Sequence, residues 1–250
     1  MKLTLIQTDI LWLQPSLNMR RAEAMIADAE KSDVYILPEM FTTGFAVHPE
    51  GKAEDDEAAL SWMKDMARRY DAAIGGSVAV KVGDGYRNRF YFVMPDGSSV
   101  RYDKRHLFTY GGEHLSYTRG EDRVEVEFRG VRFLLQVCYD LRFPVFSRNS
   151  GTPPYDVALY VASWPISRMR VWDTLLHARA IENQCYVAGV NRVGSDKACQ
   201  YSGGTMLVDA YGRTVDACPP DVPASITCTL DMDALRTFRE KFPVLADADR

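Results

Sequence analysis

The stretch Val131–Pro144, VRFLLQVCYDLRFP, constrains the chain most. Val131, Phe133, Leu134, Leu135 and Val137 make a nearly unbroken apolar run. A run of this kind reads as a strand covered on both faces, which needs layers on either side of its sheet. The chain then turns polar at Cys138, Tyr139, Asp140 and Arg142, and Pro144 suits the first turn of a helix. A cysteine between a buried strand and a helix start is held rigidly, and the helix N-terminus is expected to favour its thiolate. The plainer reading is a buried core cysteine, because free cysteines are commonly buried. A base and an oxyanion stabiliser elsewhere in the chain are needed to displace it.

The rest of the sequence alternates helical and strand patterns. Strands are expected at Leu3–Ile6, Asp33–Leu37, Ala72–Val80, Arg87–Met94, 98–103, Asp156–Val161, Cys185–Val190, 203–208, 213–217 and 224–230. Helices are expected from Pro15 to about Lys31, over 54–70, Pro144–Arg148 and 168–183, and from an Asp231 N-cap to about Lys241, with a tail to Arg250. Gly75-Gly76 inside a strand implies close backbone packing or a bulge. Residues 104–122 read as a long loop, a length more often functional than idle. The 250 residues show no repeat and no linker, so one α/β domain over 1–250 is expected, with two sheets packed together and helices outside.

Charge and cysteine usage narrow the function. A net charge of −4 argues against a general nucleic-acid or anionic-membrane binder. The five cysteines lack CxxC spacing and the four histidines are scattered, so neither a zinc site nor a disulfide framework is indicated. The apolar start MKLTLIQTDI is too short for a signal peptide, and no segment has the roughly 18 apolar residues of a membrane span. The expected compartment is the reducing cytoplasm.

Three polar residues stand at or just after strand ends: Glu39, Lys104 and Cys138. Carboxyl ends of neighbouring strands meet at one edge of a sheet, so these residues are expected to converge. A carboxylate beside a thiol takes its proton, and an ammonium steadies a thiolate and then an oxyanion. Taken singly, each has a plainer reading. Glu39 ends a strand at solvent, and Lys104 joins Arg101 and Arg105 on a solvated face. Glu113 is a loop carboxylate, while His106 and His114 are hydrogen-bonded structural histidines. Trp164 and Cys185 are core residues, and Cys199, Cys218 and Cys228 carry no motif. A serine nucleophile at Gly75-Gly76-Ser77 is a weaker rival, because Ser77 lies mid-strand. The residues alone lead to a cysteine hydrolase or transferase.

Three segments in order resemble the nitrilase superfamily of carbon–nitrogen hydrolases: LPEMFTTGF at 37–45, YDKRHLF at 102–108 and CYDLRFP at 138–144. The similarity extends to ALYVASWP at 158–165, RAIENQCYVAGVNRVG at 179–194 and REKFPVLADAD at 239–249. The last two and GGEHLSY, at 111–117, resemble the omega-amidase branch. Ser163 departs from the asparagine of many relatives, which touches a pocket contact and not the catalysis.

The resemblance implies a four-layer αββα sandwich that pairs through helices into a homodimer. It implies Glu39 as base and later acid, Cys138 as the nucleophile that forms a thioester, and Lys104 with the Tyr139 backbone N–H as oxyanion donors. Glu113 is a supporting carboxylate, and no metal or organic cofactor is needed. The implied reaction is hydrolysis of the terminal amide of small dicarboxylate monoamides such as 2-oxoglutaramate and 2-oxosuccinamate. The alternatives are a deaminated-glutathione amidase, N-carbamoyl hydrolase, aliphatic amidase or nitrilase, or a non-catalytic interaction protein on the same fold. Phe41 and Trp164 are expected to wall a narrow pocket. Arg142 is the first candidate to receive the substrate carboxylate, with Arg168 and Arg170 behind it.

Overall fold

The computed structural model describes residues 1–50 and 56–247. Its strands are β1 (Lys2–Gln7), β2 (Val34–Ile36), β3 (Ala73–Val82), β4 (Gly85–Val93), β5 (Ser99–Asp103), β6 (Glu125–Phe128), β7 (Val131–Val137), β8 (Val157–Ala162), β9 (Tyr186–Asn191), β10 (Val193–Ser195), β11 (Gln200–Ser202), β12 (Met206–Val208), β13 (Thr214–Ala217) and β14 (Ala224–Thr229). Its helices are α1 (Pro15–Asp28), α2 (Asp56–Tyr70), α3 (Glu113–Ser116), α4 (Pro144–Ser147), α5 (Met169–Asn183) and α6 (Met232–Lys241).

Two six-stranded sheets form, in the orders β14-β1-β2-β3-β4-β5 and β13-β12-β9-β8-β7-β6. Strands β1, β2 and β3 run parallel in the first, and β7, β8 and β9 in the second. The inner faces share one core. Leu3, Leu5, Ile36, Phe90 and Phe92 from the first sheet meet Phe133, Leu135, Val137, Leu159 and Val190 from the second. The outer faces are covered by helices. Ile26 of α1 and Met63 and Met66 of α2 cover the first sheet, and Trp172, Leu176 and Ala180 of α5 cover the second. The layering is αββα. It explains why β7 is apolar on both sides: Phe133 and Leu135 face the other sheet, while Leu134 faces α5.

Several boundaries move by a few residues. Asp231 caps α6 as expected, accepting from the Ala234 N–H at 2.9 Å. Gly75 and Gly76 serve close packing and not a bulge, since the β3–β4 register is continuous. A Cβ on Gly75 would lie 2.6 Å from Ile36 Cδ1, and one on Gly76 would lie 3.0 Å from Leu37 Cβ. The loop at 104–122 contains a 3₁₀ turn, Thr109–Gly111, and α3. The short strands β6, β10 and β11 are absent from the sequence reading, being three or four residues each with polar or glycine positions that blur alternation. Residues 54 and 55 of the expected second helix and the last three of the tail lie outside the described residues. Among the described residues, no helix is long and apolar enough to cross a membrane.

Candidate active site

The three strand-end residues do converge, but not at one edge of one sheet. Strands β2 and β5, which precede Glu39 and Lys104, lie in the first sheet with β3 and β4 between them, while β7, which precedes Cys138, lies in the second. The site sits where the two sheets face each other.

Cys138 adopts φ +47°, a left-handed conformation that a non-glycine residue holds only where its surroundings enforce it. It joins β7 to a 3₁₀ helix, Cys138–Arg142, that precedes α4. Asp140, fully buried, pins this turn. Its Oδ2 accepts from the Val137 N–H at 2.9 Å and the Tyr102 hydroxyl at 2.7 Å. Its Oδ1 accepts from the His106 N–H at 3.0 Å and lies 2.8 Å from His106 Nδ1. The His106 ring stacks on Phe143 at 3.9 Å, so this histidine is structural. The thiolate expected at Cys138 is not favoured in the resting site. Burial pushes the thiol well above its ordinary value and the Glu39 carboxylate adds to this, with Lys104 opposing.

Glu39, Lys104 and Glu113 are fully buried together. Lys104 Nζ donates to Glu39 Oε1 at 2.9 Å and to Glu113 Oε2 at 2.9 Å. Burial alone would lower the ammonium, yet Glu113 and Glu39 outweigh it and hold Lys104 well above its ordinary value. Burial raises the Glu113 carboxyl, Lys104 pulls it back, and Glu39 raises it further. Glu113 Oε2 also accepts from the Phe108 N–H at 2.6 Å. The two oxygens of Glu39 differ. Oε1 takes both Lys104 and the Asn88 amide, the latter at 2.7 Å. Among the described residues Oε2 takes only the Ser163 N–H, at 2.8 Å, and the same N–H faces the Cys138 sulfur. Oε2 is therefore the oxygen with a lone pair on the thiol's side. Asn88 escaped the sequence reading because nothing in GYRNRFYFV marks an inward polar side chain on a strand. Ser77, the rival nucleophile, is fully buried and hydrogen-bonded to Asn88 Oδ1 at 2.9 Å.

Cys138 opens onto a cavity of about 440 Å³ walled by aromatic rings, among them Phe45, Phe108, Tyr139 and Trp164. Phe41 is not on it. Its ring is buried behind the Glu39 turn, 5.6 Å from the Trp62 ring and against Gly76, and Phe45 takes the place expected of it. Trp164 is on the wall, its backbone clamped by the Asn191 amide at 2.7 and 3.0 Å. Arg142 and Arg168 both line the cavity. Arg142 lies over Trp164 at 5.2 Å, and Arg168 lies over Phe108 and Tyr110 at 5.4 and 5.2 Å. Neither forms an ion pair among the described residues, whereas Arg170 is exposed and away from the cavity. Cys185, Cys218 and Cys228 are buried core residues. Cys199 lies on the cavity, near the tip of the β10–β11 ribbon, where no motif announced it.

The chain is 47% identical to omega-amidase YafV of Yersinia enterocolitica over 251 residues, covering 100% of this chain and 97% of that protein. It is 35% identical to 2-oxoglutaramate amidase of Bacillus subtilis, covering 97% and 95%. The crystal structure of XC1258 from Xanthomonas campestris, a CN-hydrolase superfamily protein with an arsenic adduct in its active site, superposes with a TM-score of 0.96 at 42% identity, covering 100% and 97%. The carbon-nitrogen hydrolase family model spans residues 2–240, so the motifs, the layering and the whole-length similarity agree that this chain belongs to the carbon–nitrogen hydrolases of the nitrilase superfamily.

Proposed function

We propose that the protein is an omega-amidase that hydrolyses the terminal amide of small dicarboxylate monoamides, 2-oxoglutaramate and 2-oxosuccinamate foremost. The observation that carries this reading is the buried Glu39–Lys104–Glu113 cluster beside Cys138, which opens onto a cavity lined by Arg142 and Arg168, two arginines with no ion pair among the described residues. The names of the relatives support the substrate class.

The reaction follows from the geometry. The amide carbon docks against Cys138 Sγ, and the thiol proton passes to Glu39 Oε2 as the S–C bond forms. A thiol raised by burial suits this order, because the proton leaves only when the base is in place and the nucleophile is committed. The negative oxygen is met by Lys104 and by the Tyr139 N–H, which belongs to the first turn of a 3₁₀ helix and has no partner within it. Glu39 returns its proton to the nitrogen, the C–N bond breaks, and ammonia leaves a thioester. Glu39 then takes a proton from water, whose oxygen attacks the thioester carbon. Collapse frees the acid and returns the proton to sulfur. Glu113 keeps Lys104 charged and in place.

Ammonia release from 2-oxoglutaramate, succinamate, a nitrile, an N-carbamoyl amino acid and deaminated glutathione tests the assignment. Fastest turnover of the first two is expected, and preference for any of the others moves the protein to another branch.

The same reading includes a single-domain homodimer in a reducing cytoplasm. Ile181, Tyr211 and Phe242 are each more than half exposed, and Phe238 links the last two by ring contacts at 4.1 and 6.3 Å. Such a patch is suited to cover by a second copy. Light scattering is expected to give twice 28.2 kDa. The free thiols fit a reducing compartment.

A further inference from the structure

Asn88 is fully buried on β4 and touches every member of the charged cluster. Its Nδ2 donates to Glu39 Oε1 at 2.7 Å and to Glu113 Oε1 at 3.1 Å. Its backbone carbonyl accepts from the Lys104 N–H at 2.9 Å. Its side-chain oxygen is engaged by the Ser77 hydroxyl at 2.9 Å, and Ser77 Oγ accepts from the Met40 N–H at 3.0 Å. An amide has one acceptor and two N–H donors. With the acceptor latched by Ser77, both donors must point at the two carboxylates.

We propose that Asn88, latched by Ser77, is a positioning residue for the amidase reaction: it occupies Glu39 Oε1 so that Oε2 alone is left to exchange protons with Cys138. The inference rests on the reading of Glu39 as the base. The residue type fits the task. Two carboxylates share one ammonium here, and they need a further donor between them. An amide supplies two N–H groups and leaves the cluster's net negative charge intact. Ser77 adds a second restraint, because Met40, next to Glu39, stands at φ +45° and its N–H is tied to the same hydroxyl. Strain beside the base and the orientation of its donor are thus held by one side chain.

The experiment is the pH dependence of kcat/KM on succinamate for Asn88→Asp, Asn88→Ala and Ser77→Ala. The charged and titratable groups that face Glu39 are Lys104, Glu113, Cys138 and Tyr117, and all are unchanged in these variants. Asn88→Asp replaces a donor with an acceptor. Ionised Glu39 loses a hydrogen bond and gains a like neighbour, so it holds its proton to higher pH and the acid limb of the profile moves up. A fall in kcat of about 10²-fold or more is expected, with KM within about threefold, because the cavity walls are untouched. Asn88→Ala moves the limb in the same direction by less. Ser77→Ala keeps Asn88 but frees its amide to turn, and gives the smallest shift of the three. It decides the matter if the Asn88 variants fail to fold. A wild-type acid limb in Ser77→Ala and in every folded Asn88 variant overturns the proposal, whether or not kcat falls. An active Glu39→Gln protein removes the base reading itself. An inactive Glu39→Gln beside unmoved Asn88 and Ser77 profiles sinks only the role of Asn88.

Discussion

The Tyr102 hydroxyl donates to Asp140 Oδ2 at 2.7 Å, and this bond ties the strand that leads into Lys104 to the turn that presents Cys138. Tyr102 lies on β5 of one sheet and Asp140 just beyond β7 of the other. With His106 on the other oxygen of Asp140, residues 102, 104 and 106 form one side of a joint and residues 138 and 140 the other. A conformation such as φ +47° at Cys138 costs on the order of 1–3 kcal/mol, and Asp140 is what offsets it. Asp140→Ala leaves buried donors without an acceptor. A loss of stability of about 3 kcal/mol or more is expected in urea unfolding, since a hydrogen bond to a charged group contributes about 1.5–3 kcal/mol. Tyr102→Phe removes one such bond and is expected to cost less than half as much. Equal stability of Asp140→Ala and wild type would remove Asp140 from this role.

Cys138 is expected to be the only thiol whose modification abolishes activity. Cys199 also lines the cavity, so iodoacetamide can reach both, but Cys199→Ser is expected to stay active and Cys138→Ala to be inactive while folded. The pH dependence has a defined sign. The thiol is held up by burial and by Glu39, so its alkylation rate keeps climbing past the ordinary thiol value of about 8.5. Glu39→Gln removes the negative neighbour and moves that curve to lower pH while turnover is lost. An alkylation plateau at neutral pH in the wild-type protein contradicts a protonated resting thiol.

The sequence reading and the structure agree where chemistry is concentrated in a short segment. The apolar run before Cys138 had to be a doubly covered strand, and that alone required layers on both sides of its sheet. What a single chain could not show was which sheet each strand joins. Glu39, Lys104 and Cys138 were expected at one sheet edge, but β7 pairs with β6 and β8, and the residues meet across the two sheets. Asn88, Phe45 and Cys199 were illegible for a related reason. Each owes its place to long-range pairing or a loop path; Phe45 ends the LPEMFTTGF segment, but nothing there marks which of its two phenylalanines faces the cavity. Phe41 shows the opposite error. Its motif neighbours Glu39, and a turn at Met40 sends its ring away from the cavity.

Glu39→Gln is expected to lower kcat by about 10²–10⁴-fold, the usual worth of a general base, with the protein still folded. Lys104 differs, and burial decides how. Lys104→Ala leaves two fully buried carboxylates without their cation, so it is expected to lose several kcal/mol of stability as well as activity. Glu113→Gln removes one charge and keeps the shape, and is expected to lose activity with a smaller stability cost. Kinetics with urea unfolding on the three proteins separates these patterns. Turnover by Glu39→Gln within about threefold of wild type, well short of a lost general base, places the base elsewhere.

A carboxylate entering an aromatic cavity loses hydration and needs directed donors in return. Arg142 and Arg168 are both on the wall, and each lies over an aromatic ring, which orients a guanidinium plane while leaving its N–H edge open to a carboxylate. Arg142 lies on the turn that carries Cys138. Arg168 follows Trp164 and stands over Phe108 and Tyr110, and the Tyr110 ring is mostly exposed at the cavity mouth. A four- or five-carbon chain places its carboxylate away from the sulfur, toward one of these two. Succinamate is therefore expected to exceed the neutral butyramide by on the order of 10–150-fold in kcat/KM, the equivalent of one charge-assisted pair of about 1.5–3 kcal/mol. Replacing the arginine that receives the carboxylate with methionine, which keeps much of the apolar stem, is expected to erase that ratio chiefly by slowing succinamate. The other arginine's variant is expected to leave the ratio standing. Equal rates on the two amides in the wild-type protein would reject a carboxylate clamp and point to a general aliphatic amidase.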